Sequence, residues 1–291
     1  MPLDETRKYQ TIEVAPVTPV IGAEVSGIDL GAPLSDLARD EIEAALNEHL
    51  VLFFRDQDIT AQQHVAFGKR FGEVPLAPGA SFGIHPDAPE VSVLEYDEAR
   101  PPNVNHYHSD GIFRAVPEFA SVLRAIVAPA SGGDTIFVNC IAAYEALSDR
   151  MKRLLEGLTA VNNFMHLHGR PSKARSWEGE GRARMEKARD ANPPVEHPVI
   201  RTHPATGKKS IYVSESFTTH IVGLSEGESR AVLNHLFDHL KTPEFQTRFR
   251  WWKNSVAFWD NRCTLHYALA DYWPQHRVMN RISIRRGEKP V

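Results

Sequence analysis

The chain has 291 residues, 42% of them hydrophobic, and a formal charge of -4, which is enough apolar content for a sizeable core in one domain spanning 1–291. Acidic and basic residues are interspersed, so neither a nucleic-acid footprint nor a polybasic membrane patch is expected, and a small molecule is the expected partner. The opening residues include acids and lack the apolar run of a signal peptide, no later stretch reaches membrane-spanning length, and two cysteines, Cys140 and Cys263, cannot form a disulfide framework. A cytoplasmic protein with free thiols is the expectation.

In chain order, Ser35 to Leu50 reads as an amphipathic helix, capped by Ser35 and carrying Leu37, Ile42, Ala45, Leu46 and Leu50 at helical spacing. Val51-Leu52-Phe53-Phe54 follows as a buried strand. Thr60 with Gln63 matches a capping box ahead of Val65, Phe67 and Phe71. Ser148 to Leu158, with Met151, Leu154 and Leu155, makes a shorter helical face. Arg170 to Pro194 is dense in Arg, Lys, Glu and Gly, with few large apolar residues to anchor it in a core, so it reads as a mobile insertion that is either a lid or a solvated loop. Ser210 to Val213 follows a Thr206-Gly207 turn as a strand. Ser225 with Glu228 is another capping box, followed by a stripe of Val232, Leu233, Leu236, Phe237 and Leu240. Further strands are expected over 245–251, 256–259 and 278–284. Strands clustered late, with segregated helices rather than βαβ alternation, argue for a mainly β, α+β chain: a sandwich or barrel decorated by helices.

The chemistry-bearing pattern is His106-Tyr107-His108-Ser109-Asp110, answered downstream by His266. Residues two apart on a strand face the same side, so His108 and Asp110 can grip one ion. A third ligand must come from a neighbouring strand. His266 follows the apolar 256–259 strand through the Asp260-Asn261 turn, although spacing alone does not select it from fourteen histidines. Two imidazoles and a carboxylate cap one face of Fe(II) and leave the opposite positions open. A zinc hydrolase would use similar donors.

Several segments together resemble the taurine dioxygenase family of Fe(II)/2-oxoglutarate oxygenases: Ile21 to Gly27, Phe53 to Gln57, Tyr107-His108-Ser109-Asp110, Gly132-Gly133-Asp134-Thr135, Phe217-Thr218-Thr219, and Trp259 to Ala268 continuing to Arg277 and Arg281. The resemblance implies a double-stranded β-helix (jelly-roll, cupin-like) fold and a homodimer or homotetramer. It makes His108, Asp110 and His266 the ligands of Fe(II), with 2-oxoglutarate as cosubstrate and dioxygen as oxidant. It assigns Thr135 and Arg277 to the 2-oxoglutarate carboxylate remote from the metal, a role that a hydroxyl and a planar guanidinium suit. Arg281 matches the arginine that pairs with the taurine sulfonate, which implies an anionic substrate.

The chain departs from the taurine enzyme on the substrate side. That enzyme's sulfonate-binding histidine and nearby tyrosine fall on Ala77 and Ala80, and its asparagine near the metal motif falls on Val104. Tyr107 replaces the usual tryptophan, His168 stands where the family has an aromatic pocket residue, and Phe217 matches an aromatic wall. Smaller side chains admit more carbon, worth roughly 0.8 kcal/mol per buried methylene. The expected substrate is therefore an organic anion bulkier than taurine, an alkyl sulfate or alkylsulfonate, hydroxylated next to a heteroatom so that the product fragments to a carbonyl compound. An aryloxyalkanoate is the alternative.

Overall fold

Along the central strands, successive apolar side chains enter different cores, and this alternation dictates a layered architecture. The computed structural model describes residues 8–79, 82–171, 173 and 178–291. Its helices are α1 (Asp36–His49), α2 (Ala61–Lys69), α3 (Cys140–Glu145), α4 (Asp149–Leu155), α5 (Phe164–His168), α6 (Glu180–Ala191) and α7 (Glu226–Leu240). The strands of the first half are β1 (Glu13–Pro16), β2 (Ala23–Ser26), β3 (Val51–Phe54), β4 (Gly83–His85), β5 (Ala88–Tyr96), β6 (Ala120–Val127) and β7 (Thr135–Asn139). Those of the second half are β8 (Thr159–Asn162), β9 (Val195–Pro198), β10 (Ile200–Thr202), β11 (Lys209–Ile211), β12 (Thr218–Ile221), β13 (Gln246–Phe249), β14 (Val256–Asp260), β15 (Thr264–Ala268) and β16 (Arg277–Ile284).

A large sheet runs β1-β2-β3-β14-β6-β16-β5-β4, antiparallel except where β2 meets β3. A smaller antiparallel sheet, β13-β7-β15, packs against it. Phe53, Ala257, Trp259 and Met279 of the large sheet share one core with Phe137 and Phe249 of the small one. The rings of Phe53 and Phe249 stack 4.0 Å apart between the sheets. The intervening residues Leu52, Phe54, Val256 and Phe258 point the other way, into a core roofed by Ile42 and Leu46 of α1 and by Val65 and Phe67 of α2. Behind the small sheet, Val138 and Leu265 meet Leu233, Leu236 and Leu240 of α7. Each fully buried side chain of this size contributes roughly 1.5–3 kcal/mol before conformational entropy is subtracted.

Local signals explain where the helices begin. Ser35 caps α1 by accepting from Ala38 N, and both halves of the Thr60/Gln63 and Ser225/Glu228 capping boxes form. Helix α1 ends on Leu50, whose left-handed conformation (φ 66°) lets its N–H close on Leu46 O at 2.8 Å before the chain enters β3. Non-glycine residues are uncommon there. The Leu50 side chain is buried between the sheets, and that burial offsets the strain.

Three expectations are corrected. The strands do not cluster late: β1 to β7 all precede residue 140, and β5 and β6 are central to the large sheet. Leu37 and Leu154, expected on apolar helix faces, are exposed. The 170–194 segment does have an anchor, because α6 buries Met185 completely; residues 172 and 174–177 of that segment lie outside the described residues, as do 1–7. Both cysteines are buried free thiols. Among the described residues no helix is long and apolar enough to cross a membrane.

Candidate active site

The two imidazoles of the sequence pattern meet because their backbones pair. His108 N–H donates to His266 O (3.0 Å) and His266 N–H donates to His108 O (2.8 Å), a single antiparallel bridge between β15 and a segment outside the regular strands. Residues paired in this way present their side chains on the same face, and the two rings lie 4.1 Å apart between centroids. No continuous strand carries His108 and Asp110. One bridge suffices, after which the chain turns at Gly111 (φ 69°) and leaves Asp110 Oδ1 3.8 Å from His108 Nε2. One ligand atom from each of His108, Asp110 and His266 lies within 4.8 Å of the others.

Neighbouring groups set the state of each ligand. His108 Nδ1 lies 2.9 Å from His106 O; since a carbonyl only accepts, the proton sits on Nδ1 and the Nε2 lone pair is left for a metal. Asp110 Oδ2 accepts from Ser121 Oγ (2.7 Å), Ser121 Oγ accepts from Asn261 Nδ2 (3.0 Å), and Asn261 Oδ1 accepts from Trp259 Nε1 (2.9 Å). Burial opposes the Asp110 charge, but Arg281 and then His266 and His108 overcome it and hold the carboxyl below its ordinary range. Burial lowers both imidazoles, that of His266 to about 3 with the help of repulsion from His108. At neutral pH the set is two neutral imidazoles and one carboxylate. Those are the forms that ligate a divalent ion, and His266 Nδ1 is buried with no hydrogen-bond partner.

A second group of donors lies behind the triad. Arg277, at the start of β16, is 2% exposed, and its Nε and Nη2 have no hydrogen-bond partner among the described residues. Burial lowers its pKa, and Tyr272, Tyr96 and the more remote Asp134 offset this only in part. Thr135 Oγ1 accepts from Trp251 Nε1 (2.9 Å), so its own proton remains free to donate. Gly133 (φ 71°) brings the backbone close to Arg277; a Cβ there would lie 3.3 Å from its Nε. Buried donors without acceptors are destabilising, and a carboxylate placed here would satisfy both the guanidinium and the hydroxyl. These residues fit 2-oxoglutarate.

In front of the triad opens a cavity of about 680 Å³ lined by His108, Asp110 and Arg281 at one end and by Phe82, Val104, Phe113, Leu167 and Phe217 along its walls. Arg281 Nη1 donates to Asp110 Oδ1 at 3.0 Å, so the guanidinium expected to face substrate also holds the carboxylate of the triad. Ala77 and His168 line the same cavity, with His168 stacked on Phe164 (4.2 Å). Tyr107 does not reach it. Adjacent to His108, it alternates to the opposite side, where its ring lies 4.9 Å from Tyr267 at the α7 core. Ala80 lies outside the described residues. The sequence pattern did not single out Phe82, Phe113, Leu167, Lys173 or Ser121, and gave His106 no role of its own although it lines the cavity. Only Phe113, three residues past Asp110, stood close enough to a motif to be noticed.

Donors that cap one side of an ion beside an apolar cavity define the class of metal-dependent oxygenases. The sequence profile described as "Taurine catabolism dioxygenase TauD, TfdA family" matches residues 13–283, and the chain belongs to that family. It is a dioxygenase that uses 2-oxoglutarate. The chain is 35% identical to the alkylsulfatase of Acinetobacter baylyi over 283 residues, covering 94% of this chain and 85% of that protein. It is also 35% identical to an alpha-ketoglutarate-dependent sulfate ester dioxygenase of Pseudomonas putida, covering 96% and 91%. A solved taurine dioxygenase from Burkholderia xenovorans superposes with a TM-score of 0.82 at 36% identity, covering 97% and 91% of the two chains.

Proposed function

We propose that this dioxygenase takes Fe(II) on His108, Asp110 and His266 and hydroxylates a medium-chain organosulfur anion, an alkyl sulfate or alkylsulfonate, at the carbon bearing the heteroatom. The observation that carries the reading is the cavity: about 680 Å³, more apolar than polar, with Phe82, Val104, Phe113, Leu167 and Phe217 in its lining and Arg281 beside Asp110. Taurine would leave most of that apolar wall against water, whereas each alkyl methylene buried there contributes roughly 0.8 kcal/mol. The sulfate-ester relatives support the same substrate class.

Fe(II), with 2-oxoglutarate and dioxygen, supplies the oxidising power that converts a C–H bond to C–OH while 2-oxoglutarate becomes succinate and carbon dioxide. The chain's residues position the reactants. Arg277 and Thr135 hold the far carboxylate of 2-oxoglutarate, Ser121 keeps Asp110 oriented, and the aromatic walls exclude water and fix which carbon lies over the metal. A carbon carrying both hydroxyl and sulfate collapses to an aldehyde, releasing hydrogen sulfate with the hydroxyl proton. The two facing sheets are then the walls of a double-stranded β-helix. Arg184, Lys187 and Ala188 of α6 border the cavity mouth, which supports 170–194 acting as a lid. A homo-oligomer in the cytoplasm completes this reading.

A panel scored by succinate release tests it. Hexyl sulfate and hexanesulfonate should be turned over faster than taurine or phenoxyacetate; taurine as the best substrate would refute the steric argument from Ala77, and phenoxyacetate as the best would transfer the protein to aryloxyalkanoates.

A further inference from the structure

Substrate recognition poses a charge problem that the family motif leaves unsolved in this chain. The side chains that fall at Ala77 and Val104 offer no polar group, and Arg281 is already engaged by Asp110. The cavity nevertheless holds another cation close to the metal end. Lys173 is 6% exposed and lines the cavity, and its Nζ donates to Asn103 O. An ammonium carries three donors, and among the described residues Lys173 has no carboxylate partner. Its acceptor, Asn103, lines the cavity on the segment that leads to His106 and His108. Burial, reinforced by Arg170, lowers its pKa to about 8, as expected of an ammonium with no counter-ion. Buried charges are ordinarily paired.

We propose that Lys173 is the principal charge partner of the substrate's anionic group, supplying the charge that Ala77 and Val104 do not, while Arg281 serves mainly to hold Asp110. The proposal rests on the organic-anion reading above and sharpens it: the preferred ligand is a monoanionic amphiphile whose head group sits in the corner formed by Lys173, Asn103 and His168 and whose tail lies against Phe113 and Phe217. Lys173 is a binding and specificity residue with no part in the oxidation.

The test measures binding to the full-length protein loaded anaerobically with Fe(II) and 2-oxoglutarate, using hexyl sulfate, hexanoate and the neutral 1-hexanol. Lys173→Met should weaken hexyl sulfate about tenfold or more and leave 1-hexanol within about twofold, because removing one member of a desolvated charge pair acts on the anion alone. Lys173→Arg should restore most of the loss. Equal weakening of anion and alcohol, or an unchanged hexyl sulfate affinity in Lys173→Met, would overturn the proposal. A wild-type protein that binds hexanoate but not hexyl sulfate would end the organosulfur reading, with hexanoate then deciding the role of Lys173. Neither anion binding more tightly than 1-hexanol would end both. The 2-oxoglutarate charge-transfer band, unchanged in the variants, reports an intact fold.

Discussion

Two buried clusters in this protein bring histidine and carboxylate donors equally close: His108, Asp110 and His266, and His203, Asp260 and Cys263. They differ in what is left over. Asp260 Oδ2 accepts from Arg262 Nη2 (2.7 Å) and His203 Nε2 (2.9 Å), while Oδ1 accepts from the Arg262 backbone N–H (2.8 Å) and Nε (2.9 Å). His203 Nδ1 in turn accepts from Thr206 N–H at 3.2 Å, so neither ring nitrogen keeps a lone pair for an ion. Burial raises the Cys263 thiol far above its ordinary pKa. That cluster is a closed structural knot beneath the β14–β15 turn. In the other, the His108 Nε2 lone pair and His266 Nδ1 remain unspent, and His108 and Asp110 border a cavity. Residue type does not separate the two clusters; unused bonding capacity does.

The sharpest way to break this contrast is to damage each cluster in turn. His108→Ala should reduce succinate formation to background while leaving the urea midpoint of the metal-free protein nearly unchanged; wild-type turnover in that variant would remove His108 from the ligand set. Asp260→Ala should do the reverse. It takes the nearest partner from a guanidinium that is 1% exposed and leaves it Glu288 at 3.2 Å; loss of one member of a buried pair destabilises by up to about 3–5 kcal/mol, seen as a lower urea midpoint with iron stoichiometry preserved in the folded fraction. An unchanged midpoint would make the knot incidental.

A smaller effect follows from acid. Burial opposes the Asp260 charge, but Arg262 and His203 outweigh it and depress the carboxyl pKa. A depressed acid contributes stability that is complete above the unfolded-state pKa, about 4, and is lost as pH falls through the folded-state value. Urea midpoints should therefore be flat with respect to this group above about pH 5 and decline below about pH 4, with a shallower acid limb in Asp260→Asn. An identical limb in both proteins would assign the acid sensitivity elsewhere. The smallest effect belongs to Ser121→Ala, which leaves all three ligands in place but removes the hydroxyl orienting Asp110. Outer-sphere losses of this kind lower metal affinity by roughly 10–100-fold, measurable by Fe(II) or Co(II) titration, and an unaltered affinity would show that Arg281 alone orients the carboxylate.

What could be read from the sequence was what is decided locally or carried by a motif. Ser35, Thr60 and Ser225 cap helices through side chains bonded three residues ahead, and that signal survives without any tertiary context. β6, Ala-Ser-Val-Leu-Arg-Ala-Ile-Val, escaped notice because both of its faces are covered, so it lacks polar alternation. His108 and Asp110 stood out by their spacing, whereas His266, Thr135 and Arg277 were singled out through the family resemblance; the orphaned donors of Arg277 suit a carboxylate. Lys173 could not be found this way. In sequence it is one cation in a charged stretch, and only the fold places its ammonium on the Asn103 carbonyl.

If His108, Asp110 and His266 hold the metal as proposed, the His108–His266 bridge also bears on when it can be acquired. The two partners are separated by more than half of the chain, and His266 lies on β15, which pairs with β7. A nascent or partly folded chain offers only His108 and Asp110, a two-point grip that an iron ion readily leaves. Full coordination is thus a late event, licensed by completion of the sheets, and loading with a redox-active ion is confined to molecules whose substrate cavity is already built. In this sense the bridge is a checkpoint in maturation: it withholds a hazardous cargo until the container is closed.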